Sequence, residues 1–503
     1  MAALDTTIPP QIVTPVMPTD APPAPPPSAP QDVPVESGNM VAPPKQGISP
    51  LILILGGILI LAVIGFVVYT LFFQNRETVG PSKKEETVTW WGLWEDEAVV
   101  ASTITSYQSQ NPNIKINYIK QSKEDYRERL TNALAKGTGP DIFTIHNTWV
   151  PMFKNDLDQI PNSVVSAVDY PKIYYPVAVS DLSLGSGFVG IPTGFDSLAL
   201  FINEEIFNTQ GKATPKTWDE LRQTATELTI KDENGVIQQA GVALGRTENV
   251  DHWPEILALM MLQNGVKMTQ PDLCSSLGGS EAGSSTESCP GADALSFFSL
   301  FATVDQVWDE TLPPSTIAFS GGKLAMYFGP SWRVFEIKQQ NPNLKFKVVP
   351  VPQLPKDTPN QPDVAYASYW AIGVSKRSQV KSTAWDFVKS LSSSESLQKM
   401  YTAAASQRLF GEIYPRVDMA SLLTADPMAS VFVAQAPAAK SWYLASRTFD
   451  GPTGINTQIA KYFEDAVNTV NKGTTAKDAL QTVTQGVNQV LTTYGLVNPA
   501  TQP

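Results

Sequence analysis

The run Leu51–Phe73, LILILGGILILAVIGFVVYTLFF, carries no charged residue and constrains the chain more than any other stretch. As a helix it extends about 35 Å at ~1.5 Å per residue, enough for a hydrocarbon core of ~30 Å. It is too long for the apolar part of a cleaved signal, and no small-x-small site follows it. The sequence therefore reads as a retained membrane anchor that divides the chain into unequal parts. Residues 1–50 are proline-dominated, with VTPVMPTDAPPAPPPSAP at their centre, and show no apolar period, as expected of a disordered or polyproline-II tail. Residues 74–86 read as a linker. Lys45 alone flanks the apolar run on one side, whereas Arg76, Lys83 and Lys84 follow it. By the positive-inside rule these charges weakly place the C-terminal part inside.

Residues 87–497 are expected to fold. At 503 residues the chain is too large for one core, and at 42% hydrophobic and 17% charged residues it is globular in composition. The formal net charge of −12 comes without a basic stripe, which excludes a nucleic-acid binder of the usual kind. The two cysteines, Cys274 and Cys289, bracket CSSLGGSEAGSSTESC, a loop rich in Gly and Ser. A disulfide closing it would be worth roughly 3 kcal/mol in the chain-entropy model and would favour an oxidising compartment, opposing the flanking charges. The alternative is two unpaired thiols.

Strand and helix signals alternate. ETVTWWGL, NIKINYIKQ and DIFTIH read as strands. Helices are expected over Glu95–Gln110 and over KEDYRERLTNALAKG, where Gly137 is the stop. TPKTWDELRQTATELT opens with a capping box, Thr217 with Glu220, and places Trp218 in the core. STAWDFVKSL does the same for Trp385, and two amphipathic helices close the chain. This order argues for α/β architecture with mostly parallel sheets.

Catalytic signals are missing. The chain has two histidines, His146 and His252, and lacks HExxH, CxxC, a Walker loop, an EF-hand loop and GxSxG. No cofactor or metal motif is present, and the chain is not read as an enzyme. A glycosidase, needing only two carboxylates, stays open on motif alone.

Six segments, taken in order, resemble the family 1 extracellular solute-binding proteins of ABC importers, a group that includes maltose- and other oligosaccharide-binding proteins. They are VTWWGLWEDE, NIKINYIKQSKEDYRERLTNALAKGTGPDIFTIHNTWV, GIPTGFDSLALFINEEIFNTQGKATPKTWDEL, AFSGGKLAMYFGPSWRVFEIKQQNPNLKFKVVPVPQ, YASYWAIGVSKRSQVKSTAWDFVKSLSSSESLQKMY and the C-terminal helical pair. The resemblance implies a two-lobed, type II periplasmic-binding-protein-like α/β fold with a ligand cleft. Lobe one would hold about 87–197 and 368–425, and lobe two about 200–362 and 430–497. Crossings would fall near Asp196–Asn203, near Val364–Trp370 and after Thr424. The family in bacteria is usually exported by a cleaved signal, often with a lipidated cysteine; here the apolar run and proline-rich tail take that place.

Ligands of open α/β sheets sit beyond the carboxyl ends of the strands. The residues just past those ends are Trp94 and Glu95, Asn147 and Trp149, Phe195 and Asp196, Trp253, Trp332, Tyr369 and Trp370, and Trp442. FGPSW matches the family segment that brings an aromatic ring, here Trp332, to the sugar; Asp196 matches an acidic contact at the hinge. Flat rings cover the apolar faces of a sugar, and carboxylates and amides bond its hydroxyls. Each residue has a structural alternative. Trp90 and Trp91 point to opposite faces of a strand as core. Glu95, Asp96 and Glu97 complement a helix N-terminus. Trp149 packs under its loop, and His146 and His252 are satisfied structural polar groups. One of Tyr369 and Trp370 is buried and the other exposed.

The expected role is capture of an oligosaccharide outside the membrane and delivery to an importer permease, with lobe closure driven by ligand. The competing readings are a sensory or adaptor ectodomain of the same fold, a carbohydrate-active enzyme, and a binder of peptide, polyamine or phosphodiester.

Overall fold

The computed structural model describes residues 50–70, 85–268, 273–274, 289–356, 358 and 361–497. The proline-rich tail, most of the linker and the interior of the Cys274–Cys289 loop lie outside the described residues. The chain divides into two compact units, 1–82 and 83–503.

In the first unit a helix, Pro50–Tyr69, carries most of the apolar run, and Leu51 and the large side chains from Ile54 to Tyr69 are exposed. Its side chains are described without a break only from Ile54 onward. Among the described residues no helix is long and apolar enough to cross a membrane.

The second unit is built on two five-stranded sheets. The first has the spatial order Ile114–Lys120, Glu86–Gly92, Ile142–His146, Trp370–Val374, Ile191–Pro192. Its first three strands are parallel, and Trp370–Val374 joins antiparallel with Trp370 opposite His146. The second has the order Phe346–Val349, Ala199–Asn203, Leu324–Gly329, Ile237–Val242, Ile230–Lys231. Ala199–Asn203 runs antiparallel to both its neighbours. Both sheets are thus mixed rather than mostly parallel. The strands that cross between them enter each sheet against the direction of its neighbours.

The crossings explain the Pro and Gly that interrupt VGIPTGFDSLALFIN. Ile191–Pro192 ends in the first sheet, Ala199–Asn203 begins in the second, and 193–198 bridges them. The returning segment pairs with it. Ser197 faces Ala367 in an antiparallel bridge, Leu198 N–H donates to the Tyr366 carbonyl at 2.8 Å, and Ser368 N–H donates to the Asp196 carbonyl at 3.1 Å. A third pass, Ala439–Lys440, lies parallel to Ala365–Tyr366.

Local signals act where the sequence puts them. The helix Tyr126–Lys136 ends on Gly137 at φ 71°, and Trp218–Leu228 opens with both hydrogen bonds of its capping box. Trp218 and Trp385 are buried. The helix expected from Glu95 starts two residues later, at Glu97, because Leu93–Glu95 bend away from the strand and Asp96 is the extended N-cap. Cys274 and Cys289 are joined by a disulfide.

Candidate functional site

A cavity of about 490 Å³ draws its walls from the first sheet, from the crossings, and from turns and helix starts such as His252, Pro330 and Trp332 that lie outside the strands of the second sheet. The first strand supplies its floor. Trp90 is buried there, its ring 4.6 Å from that of Tyr118 and 5.7 Å from that of Phe387. Gly92 follows because a Cβ at that position would collide with the Tyr118 ring, which crosses the strand end to donate from its hydroxyl to the Glu95 carbonyl at 2.5 Å. Trp91 faces the other side and is partly buried against the core.

Trp94 stands on the first wall, 40% exposed, edge-on to Trp370 at 5.3 Å and tilted against Phe449 at 5.7 Å. The antiparallel register that sets Trp370 opposite His146 brings their rings to 5.0 Å. Trp370 is half-buried, whereas Tyr369 is almost wholly buried and donates its hydroxyl to Asp181 at 3.0 Å. Both line the cavity, as does Phe195.

Glu95 lines the cavity 3.7 Å from Arg408, which is already paired to Glu412 at 2.6 Å. Burial first, and then the like charge of Glu412, push the Glu95 carboxyl up to about 7. Asp196 is pushed to about 7 by burial, against the donors of Ser331 and Ser197. Its carboxylate takes the Ser331 N–H at 2.9 Å, the Ser331 hydroxyl at 2.9 Å and the Ser197 N–H at 2.8 Å. Asp196 therefore ties the first crossing to the Pro330–Trp332 turn as well as facing the cavity.

The opposite wall is a charge network. Trp332 lies with the Arg333 guanidinium 4.4 Å from its ring centre and His252 edge-on at 5.6 Å. Arg333 is 1% exposed; it donates to His252 Nε2 at 2.9 Å and to Glu336 at 2.5 Å, and sits 3.2 Å from Asp251. A guanidinium only donates, so Nε2 of His252 is the acceptor and the ring proton lies on Nδ1, toward Ser446 at 3.2 Å. Burial works against ionisation of Glu255, but the facing His252 and the Ser446 N–H, at 2.7 Å, hold it below the ordinary glutamate range. Burial lowers both histidines, His146 to about 3. His146 has partners on both ring nitrogens, Thr148 at 2.8 Å and Ser368 at 3.0 Å. Both histidines are structurally satisfied and still line the cavity.

Of the sequence-derived candidates, Trp94, Glu95, Phe195, Asp196, Trp332, Tyr369 and Trp370 come together around this cavity. Four do not. Trp149 is wholly buried, because a 3-10 turn, Asn147–Trp149, rolls it under the strand end between Tyr126 and Phe153. Asn147 braces the crossing, donating to Asp181 at 2.8 Å and accepting from Tyr369 N–H at 3.2 Å. Trp442 is buried against Phe463. Trp253 begins its helix and packs on the core, leaving the preceding His252 to face the cavity. Sequence reasoning missed Arg408, Glu412, Arg447 and Phe449, which reach the cavity from loops with no periodic signal. Two of these, Arg447 at φ 54° and Phe449 at φ 52°, have left-handed backbones that non-glycine residues rarely adopt.

This architecture has known counterparts. The chain superposes on the sugar-binding protein of the phytopathogen Xanthomonas citri with a TM-score of 0.64 at 21% identity, covering 81% of this chain and 98% of that one. It superposes on an ABC-transporter solute-binding protein of Thermotoga lettingae, bound with alpha-D-tagatose, with a TM-score of 0.60 at 22% identity, covering 81% and 100%. Both share its two-lobed periplasmic-binding-protein-like fold. A maltotriose-binding protein of Pyrococcus abyssi is 23% identical over 316 residues, 60% of this chain and 62% of that protein. The chain thus spans less than two thirds of that relative's length. The profile of the bacterial extracellular solute-binding proteins matches residues 102–408, more than half of the chain, which belongs to that family.

Proposed function

We propose that this chain is a membrane-anchored receptor that takes an oligosaccharide into its cavity and presents it to the permease of an ABC importer. The observation that carries this reading is the make-up of the cavity walls. Trp94, Trp332 and Trp370 offer aromatic surface beside Glu95, Glu412, Arg408 and Ser368. A saccharide has apolar C–H faces for the rings and hydroxyl edges for the polar groups. Of the three proteins described above, two are named for binding maltotriose and sugar, and the third was solved with alpha-D-tagatose bound. The lobe division read from the sequence, 87–197 with 368–425 against 200–362 with 430–497, belongs to this proposal. It is supported by the two sheets and by the crossing at 193–198. Anchoring rests on the charge-free run Leu51–Phe73, and an extracytoplasmic receptor domain on the Cys274–Cys289 bridge.

The test is thermal unfolding of the full chain in lipid nanodiscs against oligosaccharides, peptides and polyamines. A ligand at a hundredfold over its dissociation constant adds about 2.7 kcal/mol of stability. A shift with one saccharide class that Trp332→Ala abolishes without unfolding the chain supports the reading. A shift with peptide or polyamine and none with any saccharide overturns the ligand class. Release of the chain from membranes by alkaline carbonate overturns the anchor.

A further inference from the structure

Aromatic rings attract cations as well as sugars, so the cavity's rings alone do not choose between them. Their neighbours do. The ring of Trp332 has two protein cations on it, Arg333 at 4.4 Å and Arg447 at 5.4 Å, and the ring of Phe449 has Lys123 at 5.4 Å. Arg333 is buried and fixed, but Arg447 and Lys123 are solvent-facing and stand at the cavity lining. Arg447 is further held by Asp251 at 3.7 Å and by its left-handed backbone.

The carboxylates of the cavity are also engaged. Glu412 pairs with Arg408, Glu336 with Arg333, Asp196 with Ser331, and Glu255 with Ser446. Glu95 is pushed toward its neutral form. A cationic guest entering this cavity meets protein cations on the ring of Trp332 and the ring of Phe449, and carboxylates already matched to donors. A neutral polyhydroxylated guest meets no such opposition, because hydroxyls bond to guanidinium and carboxylate alike.

We propose that Arg447 and Lys123 are specificity-determining residues that exclude cationic ligands, restricting the cavity to neutral saccharides over their amine-bearing counterparts and polyamines. This rests on the saccharide reading above and deepens it. The experiment is calorimetric titration of the full chain in nanodiscs with cellotriose, with the glucosamine trisaccharide of the same linkage, and with spermidine. It is repeated on Arg447→Gln and Lys123→Gln, both at solvent-facing positions, with the thermal unfolding of each variant measured alongside to confirm that it is folded. The readout is the ratio of affinities for the amine-bearing and the neutral trisaccharide. It is expected to rise roughly fivefold in each variant and further in the double variant. An unchanged ratio, or a wild-type chain that prefers the amine, overturns the proposal and leaves the saccharide reading standing. If no neutral saccharide binds, the saccharide reading falls and spermidine decides alone. Binding gained only in the variants supports cation exclusion; binding to the wild type, or to none of the three, overturns it.

Discussion

Trp94 and Trp332 stand on opposite walls of one cavity and are held by different physics. Trp94 is set by ring contacts, edge-on to Trp370 and tilted against Phe449, and keeps 40% of its surface exposed. Trp332 rests against a guanidinium that is itself buried among His252, Asp251 and Glu336. The carboxylates follow the same division. On the first wall Glu95 rises to about 7 because burial and Glu412 outweigh a shared Arg408. On the second, Asp251 and Glu255 stay below their ordinary range although buried, because Thr316, Arg333, His252 and Ser446 face them. The first wall is soft and protonatable. The second is a fixed array of charges whose parts depend on one another.

Removing the centre of the second wall tests that contrast most severely. Arg333→Met strands the acceptor nitrogen of His252 and takes from Asp251 and Glu336 their buried cation, and is expected to cost about 3 kcal/mol in urea unfolding. A loss below about 1 kcal/mol would mean that the array does not brace its wall. Next come the rings. Trp332→Ala is expected to weaken binding of the cognate saccharide by about 2 kcal/mol, and Trp94→Ala by about half of that, since Trp94 is the less confined ring. Equal losses in calorimetry would erase the distinction between fixed and soft walls.

A pH series sharpens the comparison further. The folded-state pKa of Glu95 lies above its unfolded value, so the folded chain holds the extra proton between about pH 4.5 and about 7. Stability contributed by that protonation is full at the acid side and declines as pH rises through this window. Glu95→Gln keeps the neutral form and is expected to flatten that part of the stability profile. Glu255→Gln, at a carboxylate whose pKa is lowered, is not. Asp196 adds a slope of the same sign as Glu95. The smallest effect is a control remote from both walls. Thr217→Ala breaks the capping box of Trp218–Leu228 and is expected to cost about 1 kcal/mol of stability without changing the ratio of affinities for two saccharides.

The elements were legible where periodicity and caps are local. Tyr126, Leu130 and Leu134 bury one helix face as their spacing predicts, and Gly137 ends that helix. Seven of the candidate site residues line the cavity: Trp94 and Glu95 follow the strand Glu86–Gly92, Trp332 follows Leu324–Gly329, Phe195 and Asp196 lie in the first crossing, and Tyr369 and Trp370 stand at the start of an antiparallel strand, opposite His146, the last residue of its neighbour. Trp149 and Trp442 lie away from the cavity because position along a strand end says nothing of the turn that follows; a 3-10 turn buries the first under its loop, the structural alternative its sequence also allowed. Glu412 and Phe449 left no signal in the sequence, since Glu412 meets Glu95 through Arg408 and Phe449 meets Trp94 only across hundreds of positions.

By itself the sequence determined the apolar run at Leu51–Phe73, the alternation of strands and helices, and the segments whose order marks a solute-binding fold. These depend on side-chain period and on interactions within a few residues. Only the tertiary structure decided that Trp370 lies beside His146, that Asp196 is tied to Ser331, and that Arg447 lies over Trp332. Such pairings are set by sheet register and by the crossings between the sheets. The charge and burial of each cavity group follow from them, because a carboxylate's pKa depends on what faces it across space rather than on its neighbours in the chain.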